Sequence, residues 1–188
     1  MIAPGYTRPL LIALNLFAIG FSPAMAQEDD GFMPKGGKTL FLELADTPRA
    51  AELREIGDIS RTEAEWRGFL VERHKQLSER EISELAAYLE VNLPLPEGAV
   101  QQAESRGDIA SALPADGREL AWTQCQFCHS LFSGYLMQQR DVQGWRSVFL
   151  SPFHRGLKMT AQQRETFARY SAINMPMKAA DVPAALRY

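Results

Sequence analysis

Apolar residues recur at helical spacing in several stretches of the chain, each behind a polar residue that suits a helix N-terminus. The clearest stretch begins at Ser78, where Glu81 follows three residues later as in a capping box, and it predicts a helix that ends near Glu90. Thr160 marks a similar N-terminus later in the chain. Further helices are predicted at 116–124, 142–150 and 160–170.

The N-terminus has a different pattern, a basic residue followed by a short apolar run. Arg8 precedes the run Leu10–Phe21, and the triplet Ala24-Met25-Ala26 follows. This order is typical of a secretory signal peptide, so we predict a signal peptide over residues 1–26 and a mature chain that starts at Gln27. An uncleaved membrane anchor is the alternative, but the run is shorter than the roughly 20 apolar residues that span a bilayer.

The composition of the mature chain limits the kinds of protein that it can be. Removing 26 of the 188 residues leaves 162, enough for one ordinary domain or two very small ones. Loss of Arg8 takes the net charge from −3 to −4, and a mildly acidic chain of this size is not predicted to bind nucleic acid. No later segment is long and apolar enough for a membrane span, so we expect the mature protein not to span a membrane.

The two cysteines of the chain form the motif Cys125-Gln126-Phe127-Cys128-His129. The pattern C-x-x-C-H is the attachment signature of c-type haem. Two intervening residues let one turn of backbone place both thiols along the edge of a porphyrin, and the next residue then offers its imidazole to the iron. We therefore predict one covalent haem c held by Cys125, Cys128 and His129.

Other uses of a C-x-x-C motif fit this chain less well. A thioredoxin-like site expects a βαβ context, which the sequence does not show. A structural zinc site needs four ligands, and the chain has no second cysteine pair. A local disulfide between Cys125 and Cys128 would not need His129.

The motif and the residues before it resemble the opening of small class I cytochromes c. The stretch Asp116-Gly117-Arg118-Glu119-Leu120-Ala121-Trp122-Thr123-Gln124 leads into the motif as a short helix, Ser130 follows it, and the resemblance covers about residues 114–175. It implies an all-α fold, a small helical bundle around one covalent haem in which the first helix crosses the last. It also implies that Phe167 and Tyr170 pack as core near that crossing.

The second axial ligand of the iron is open at this level. His129 is predicted as the proximal ligand, and the chain offers His154, Met159, Met175 and Met177 for the distal position. Cytochromes c usually carry this ligand in the loop before the last helix, which favours His154 as the second metal ligand and also admits Met159. Met175 and Met177 lie after that helix, although a Met-Pro pair is frequent at the distal position.

The first half of the mature chain repeats the second in outline. Trp66 echoes Trp145, the helix after Ser78 echoes the helix after Thr160, and Asn92-Leu93-Pro94 echoes Asn174-Met175-Pro176. The first half has no cysteine, so it reads as a cytochrome-like half without haem, although chance similarity between amphipathic helices is the alternative. His74 lies near the place of His154, but leucines stand in place of the second half's methionines.

These patterns divide the chain into five segments. A Pro- and Gly-rich stretch separates the two halves and predicts a linker. The predicted segments are a signal peptide at 1–26, a flexible N-terminal segment at 27–39, a haem-free helical half at 40–95, a linker at 96–115 and a haem c domain at 116–188.

The leading functional prediction is a periplasmic cytochrome that carries single electrons and is not an enzyme. Its partner would be a periplasmic redox protein, a dehydrogenase or an oxidase. One alternative is a haem enzyme or ligand sensor with an open sixth coordination position. Another is a non-redox docking subunit, in which the surface of residues 40–95 binds the partner.

Overall fold

The computed structural model describes residues 30–44 and 49–188, so the predicted signal peptide lies outside the described residues. Within them the fold is all-α, as predicted. No helix of this part of the chain is long and apolar enough to cross a membrane. Its α-helices are α1 (Gly37–Glu43), α2 (Arg49–Ile56), α3 (Glu63–Arg73), α4 (Glu79–Asn92), α5 (Ala99–Ser105), α6 (Gly117–Cys125), α7 (Val142–Val148) and α8 (Ala161–Asn174). Turns of 3₁₀ helix lie at Ile109–Ala112, Pro152–His154, Ala179–Asp181 and Ala184–Leu186, and a π-helical turn spans Phe132–Leu136.

Local capping explains where the longer helices begin. Ser78 accepts a hydrogen bond from the Glu81 N–H, and the Glu81 carboxylate accepts one from the Ser78 N–H in return. This reciprocal pair satisfies two backbone donors that the first turn of a helix leaves free. The predicted starts at Ser78 and Thr160 are thereby confirmed. The same capping box opens α3 (Thr62, Glu65), α6 (Asp116, Glu119) and α8 (Thr160, Gln163).

The helices of the two halves are built alike. A buried tryptophan is the fourth residue of both α3 and α7, namely Trp66 and Trp145. A buried tyrosine, Tyr88 or Tyr170, is the tenth residue of α4 or α8. In the first half α1 and α3 pack on α4, and in the second α6 and α7 pack on α8. The repeat that the sequence outlines is therefore a repeat of helix packing as well.

Glycine allows the first helix of each half to cross the last closely. A Cβ on Gly37 would lie 2.1 Å from the Tyr88 Cβ, and a Cβ on Gly117 would lie 2.0 Å from the Tyr170 Cβ. Neither crossing leaves room for a side chain, because real Cβ atoms do not approach other carbons this closely. The resemblance implies a crossing of first and last helices for the second half alone, and the structure has a close crossing in both halves.

Two hydrophobic clusters form the interior, one in each half. The first includes Phe41, Leu53 and Trp66, and the second includes Tyr135 and Phe167. The helices α4 and α8 pack on one another and join the two clusters. The halves are therefore in direct contact through their last helices.

Polar contacts cross the junction in matching pairs. The Tyr88 hydroxyl donates to the Pro114 carbonyl ahead of the second half, and the Tyr170 hydroxyl donates to the Pro34 carbonyl ahead of the first, both at 2.7 Å. Each tyrosine thus holds the segment that precedes the first helix of the other half. The junction therefore has an approximate two-fold symmetry.

One carboxylate caps a helix in each half. Asp116 is fully buried, and its Oδ1 accepts from the Glu119 N–H of α6 at 3.0 Å. Its Oδ2 accepts from the Thr39 N–H of α1 at 3.2 Å. The residue before α1 is Gly36, and a Cβ there would lie 2.2 Å from the Asp116 Cγ. Asp116 therefore takes the place of a capping side chain that α1 lacks.

Parts of the chain without strong sequence patterns also pack on the fold. Met33, in the segment predicted as flexible, is 2% exposed and belongs to the second cluster. The segment predicted as a linker contains α5, which packs on α2 and on the 3₁₀ turn Ile109–Ala112. In the C-terminal tail, Val182 is buried in the second cluster.

Candidate functional site

The C-x-x-C-H motif opens onto a cavity of about 490 Å³ in the second half. This volume lies within the range of about 300–1,000 Å³ that is usual for sites of small ligands and cofactors. Both cysteines and His129 line the cavity, and His154 faces it from the loop after α7. Its remaining walls include the aromatic residues Tyr135, Trp145, Phe149, Phe153 and Phe167 and the residues Arg140, Leu157 and Met159.

The end of α6 positions the two thiols. Cys125 is the last residue of α6, and Cys128 and His129 lie in the turn that follows. Cys125 is largely enclosed, and its burial raises the pKa of the thiol to about 12. Cys128 is exposed, and both cysteines are free thiols. One thiol therefore lies in the wall of the cavity and the other at its opening.

The rings of the two histidines in the cavity lie close to one another. The ring centroids of His129 and His154 are 6.3 Å apart, with the ring planes inclined at 67°. His154 ends the short 3₁₀ turn that starts at Pro152, and the motif turn carries His129. The fold thus brings together two imidazoles from residues that are 25 positions apart in the chain.

Each of these imidazoles is oriented by a backbone carbonyl. Nδ1 of His129 lies 3.1 Å from the Ser130 oxygen, and Nδ1 of His154 lies 2.9 Å from the Val148 oxygen. A carbonyl oxygen only accepts hydrogen bonds, so Nδ1 carries the proton in both rings. In the neutral ring Nε2 is then free to bind a metal, and metal-binding histidines are usually held in this way.

The spacing of the rings suits a metal ion between them. A metal–imidazole bond is about 2.0 Å long and a ring nitrogen is about 1.1 Å from its ring centre, so two axial imidazoles place their centroids about 6 Å apart. The observed distance of 6.3 Å agrees with this value. The residues of the cavity therefore fit a haem with two histidine ligands and two thiols at its edge.

Gly134 makes room for the ring of His129. A Cβ at this position would lie 2.3 Å from the His129 Nδ1 and 2.4 Å from its Cε1. Gly134 belongs to the π-helical turn Phe132–Leu136, and such turns are frequent at functional sites. This role was not predicted, because the contact depends on how the turn folds back over the motif.

The four candidates for the distal ligand separate in the structure. His154 and Met159 both line the cavity with the motif. Met175 is buried in the second cluster, and Met177 lines a different cavity at the junction of the halves. The fold therefore brings two of the four candidates, His154 and Met159, to the motif, and the ring of His154 lies 6.3 Å from that of His129.

The corresponding region of the first half is filled by protein. Trp145 and Phe149 line the cavity, and their counterparts Trp66 and Leu70 are packed in the first cluster together with Leu53 of α2. His74, the counterpart of His154, is buried. Its Nε2 lies 2.9 Å from the carboxylate of the buried Glu52. Side chains of α2 thus occupy the region of the first half that corresponds to the cavity of the second half.

The stretch of chain that forms most of the cavity wall contains more basic than acidic residues. From residue 120 to residue 164 the chain has five basic residues and one acidic residue, although the net charge of the whole chain is −3. Arg140 lines the cavity, and Arg155 and Lys158 are exposed in the loop that carries His154. Phe153 also lines the cavity and is 93% exposed. An exposed apolar side chain and exposed basic residues therefore lie at or near the cavity.

Neither a ready-made cluster of metal ligands nor a match to a known protein identifies the site. Within residues 30–44 and 49–188, no three His, Cys, Asp or Glu side chains are grouped so that they could hold a metal ion by themselves. Comparison of the chain with known protein families, with curated proteins and with solved structures finds no match.

Proposed function

We propose that the protein is an exported c-type cytochrome that carries single electrons in the periplasm. One covalent haem would be held by Cys125 and Cys128, with His129 and His154 as axial ligands. The observation that carries this proposal is the pair of neighbouring imidazoles, each with Nδ1 on a backbone carbonyl, beside a C-x-x-C-H motif. The signal-peptide pattern of residues 1–26 supports export, which c-type haem attachment requires.

The residues of the cavity would bind and shield the haem. When bound, the haem supplies the one-electron chemistry of its iron. With His129 and His154 both bound to its iron, the haem would have no coordination site left for a substrate, and the protein would act as a carrier. The aromatic wall of Tyr135, Trp145 and Phe167 excludes water from one side. The exposed Phe153 at the cavity would leave one edge of the haem within reach of a partner.

The test is to export the protein from cells with c-type haem attachment machinery and to record oxidised and reduced spectra with a pyridine haemochrome assay. We expect one haem c per chain, and none in the double variant with Cys125→Ala and Cys128→Ala. A colourless wild-type protein would refute the proposal.

The distal ligand is tested in the same preparations. Ferric haem with a methionine ligand has a weak near-infrared band, which we expect to be absent from the wild type and present in His154→Met. Met159→Leu is the matched control within the same cavity and should leave the spectrum unchanged. Loss of a wild-type near-infrared band in Met159→Leu would instead assign the ligand to Met159. Tight binding of carbon monoxide by the reduced wild type would favour an open-site sensor or enzyme.

The charge around the opening supports a redox partner with an acidic surface. Arg140, Arg155 and Lys158 are exposed on this face, while the chain as a whole is acidic. Opposite charges speed encounter at low ionic strength, and salt screens them. Reduction by an acidic donor protein should therefore slow as salt rises. In the double variant Arg155→Glu, Lys158→Glu we expect a reduction rate that is slower at low salt and nearly independent of salt.

A further inference from the structure

A buried carboxyl group lies at the junction of the two halves, away from the haem motif. Glu84 of α4 is 3% exposed. Its Oε2 accepts a hydrogen bond from the Asn174 side chain at 3.0 Å, and the Gly37 N–H donates a second. Both donors are neutral groups. Burying a carboxylate without a paired cation is costly, so packing alone does not explain why a glutamate occupies this position.

The repeat provides an internal control for the structural role of Glu84. Thr166 is the sixth residue of α8, as Glu84 is the sixth residue of α4. Its hydroxyl accepts from the Asn92 amide at 3.1 Å, just as Glu84 accepts from Asn174. The neutral hydroxyl of Thr166 is therefore a sufficient acceptor for Asn92. By the same reasoning, the equivalent contact of Asn174 does not require the carboxyl group of Glu84.

The surroundings of Glu84 favour its protonated form. Burial is the main cause and the nearby carboxylate of Asp116 is the second, and together they raise the pKa of Glu84 to about 8. Hydrogen bonds from Asn174 and Gly37 and the charge of Arg80 act in the opposite direction. The group therefore changes its protonation close to neutral pH.

Protons can reach Glu84 from solvent. The residue lines a cavity of about 610 Å³ at the junction, beside the polar side chains of Lys35, Arg80 and Lys178. A cavity of this size and polarity has ample room for water molecules that hydrogen-bond to these groups. Glu84 is thus buried from bulk solvent but adjacent to a water-accessible space.

Tyr135 lies in the wall of the functional cavity and is influenced by the charge of Glu84. Its ring lines that cavity, and its hydroxyl lies 2.9 Å from the Ser171 hydroxyl in the core of the second half. Burial raises the pKa of Tyr135 well above its ordinary value, and the charges of Cys125 and Glu84 add to this shift. Tyr135 is therefore within electrostatic range of both the haem motif and Glu84.

We propose that Glu84 binds a proton with an affinity that is linked to the charge in the functional cavity. This inference rests on the proposed function. When one electron enters the cavity from a donor protein, the added negative charge raises the affinity of the Glu84 carboxylate for a proton from water in the junction cavity. For a fivefold change in proton affinity, at most about 0.4 proton accompanies each electron, so the added charge is compensated in part. By reciprocity, protonation of Glu84 makes reduction more favourable.

Several other charged or titratable groups face Glu84 and contribute to the same balance. They come from the N-terminal segment, from α4, from the start of α6, from the π-helical turn, from α8 and from the tail. They are Lys35, Arg80, Glu81, Asp116, Tyr135, Tyr170, Lys178 and Asp181.

The closing experiment measures the midpoint potential of the haem-loaded protein between about pH 6 and pH 10 by spectroelectrochemistry. We expect the wild-type potential to fall as pH rises, with reduction increasing the proton affinity of Glu84 about fivefold, the lower end of ordinary couplings between sites. Glu84→Gln and Glu84→Thr, the latter copying the other half, should remove this part of the pH dependence. Glu79→Gln changes an exposed carboxylate on the same helix and should retain it.

A second readout follows the carboxyl group itself. Infrared difference spectra between oxidised and reduced protein should contain a band of a protonated carboxyl, which Glu84→Gln abolishes and Glu79→Gln retains. A haem protein whose potential does not change with pH, or whose pH dependence survives Glu84→Gln, would overturn this inference alone. A preparation with no c-type spectrum would refute the proposed function and the inference with it, so the two failures are distinguishable.

Discussion

Asp116 offers the sharpest test of how the two halves are joined. Its carboxylate caps α6 through the Glu119 N–H and caps α1 through the Thr39 N–H. Replacement of a capping residue by alanine costs about 1 kcal/mol per helix, within a range of about 0.5–2 kcal/mol. Asp116→Ala removes two caps at once and leaves buried donors without partners, so we expect a loss of about 2–3 kcal/mol in the free energy of unfolding.

Thr62→Ala is the matched control, because Thr62 caps α3 alone. We expect it to cost about 1 kcal/mol. Both variants would be unfolded in urea and followed by far-ultraviolet circular dichroism at pH 6. Glu84, whose pKa is about 8, is protonated at this pH, so relief of its repulsion by Asp116 contributes little. The reasoning would be refuted if Asp116→Ala cost no more than Thr62→Ala.

Three glycine substitutions, one of them a control, test the packing of the helices and the motif. Gly117→Ala would place a Cβ 2.0 Å from the Tyr170 Cβ, so we expect α6 to be forced off α8 at a cost of about 2–3 kcal/mol in urea unfolding. Gly68→Ala has no atom within 4 Å of its new Cβ and should instead stabilise α3 by up to about 1 kcal/mol; equal effects of the two would contradict the packing argument. Gly134→Ala would place a Cβ 2.3 Å from the His129 Nδ1, at the end of a side chain that can move. We expect little loss of stability but an altered haem spectrum, and an unchanged spectrum would show that Gly134 does not position the ring.

The pH dependence of stability gives a further test of Glu84. Its pKa in the folded protein, about 8, lies above the value of 4.5 for a free carboxyl group, so the folded state binds more protons between these values. The stability that this proton contributes is fully present below about pH 4.5 and is lost as pH rises through about 8. Glu84→Gln should remove this part of the pH dependence in urea unfolding, and an unchanged profile would contradict the assignment.

The sequence alone was sufficient for the features that depend on neighbours in the chain. A capping box joins residues three apart, so Ser78 with Glu81 predicts a helix start without knowledge of the rest of the fold. The C-x-x-C-H motif is likewise local, because its two thiols and imidazole lie within five residues. The helices of the second half could also be predicted, because their N-terminal residues and apolar spacing are local patterns as well.

Only the tertiary structure decided the features that join distant parts of the chain. His154 and Met175 were both open as partners of His129, and the path of the loop after α7 determined which of them lies in the cavity. Asp116 caps a helix that begins 79 residues earlier, and Glu84 lies beside Asn174, 90 residues later. Such contacts depend on the crossing of packed helices, and no local pattern encodes them. The sequence therefore determined the helices and the motif, whereas packing between the halves determined which buried groups lie around the cavity.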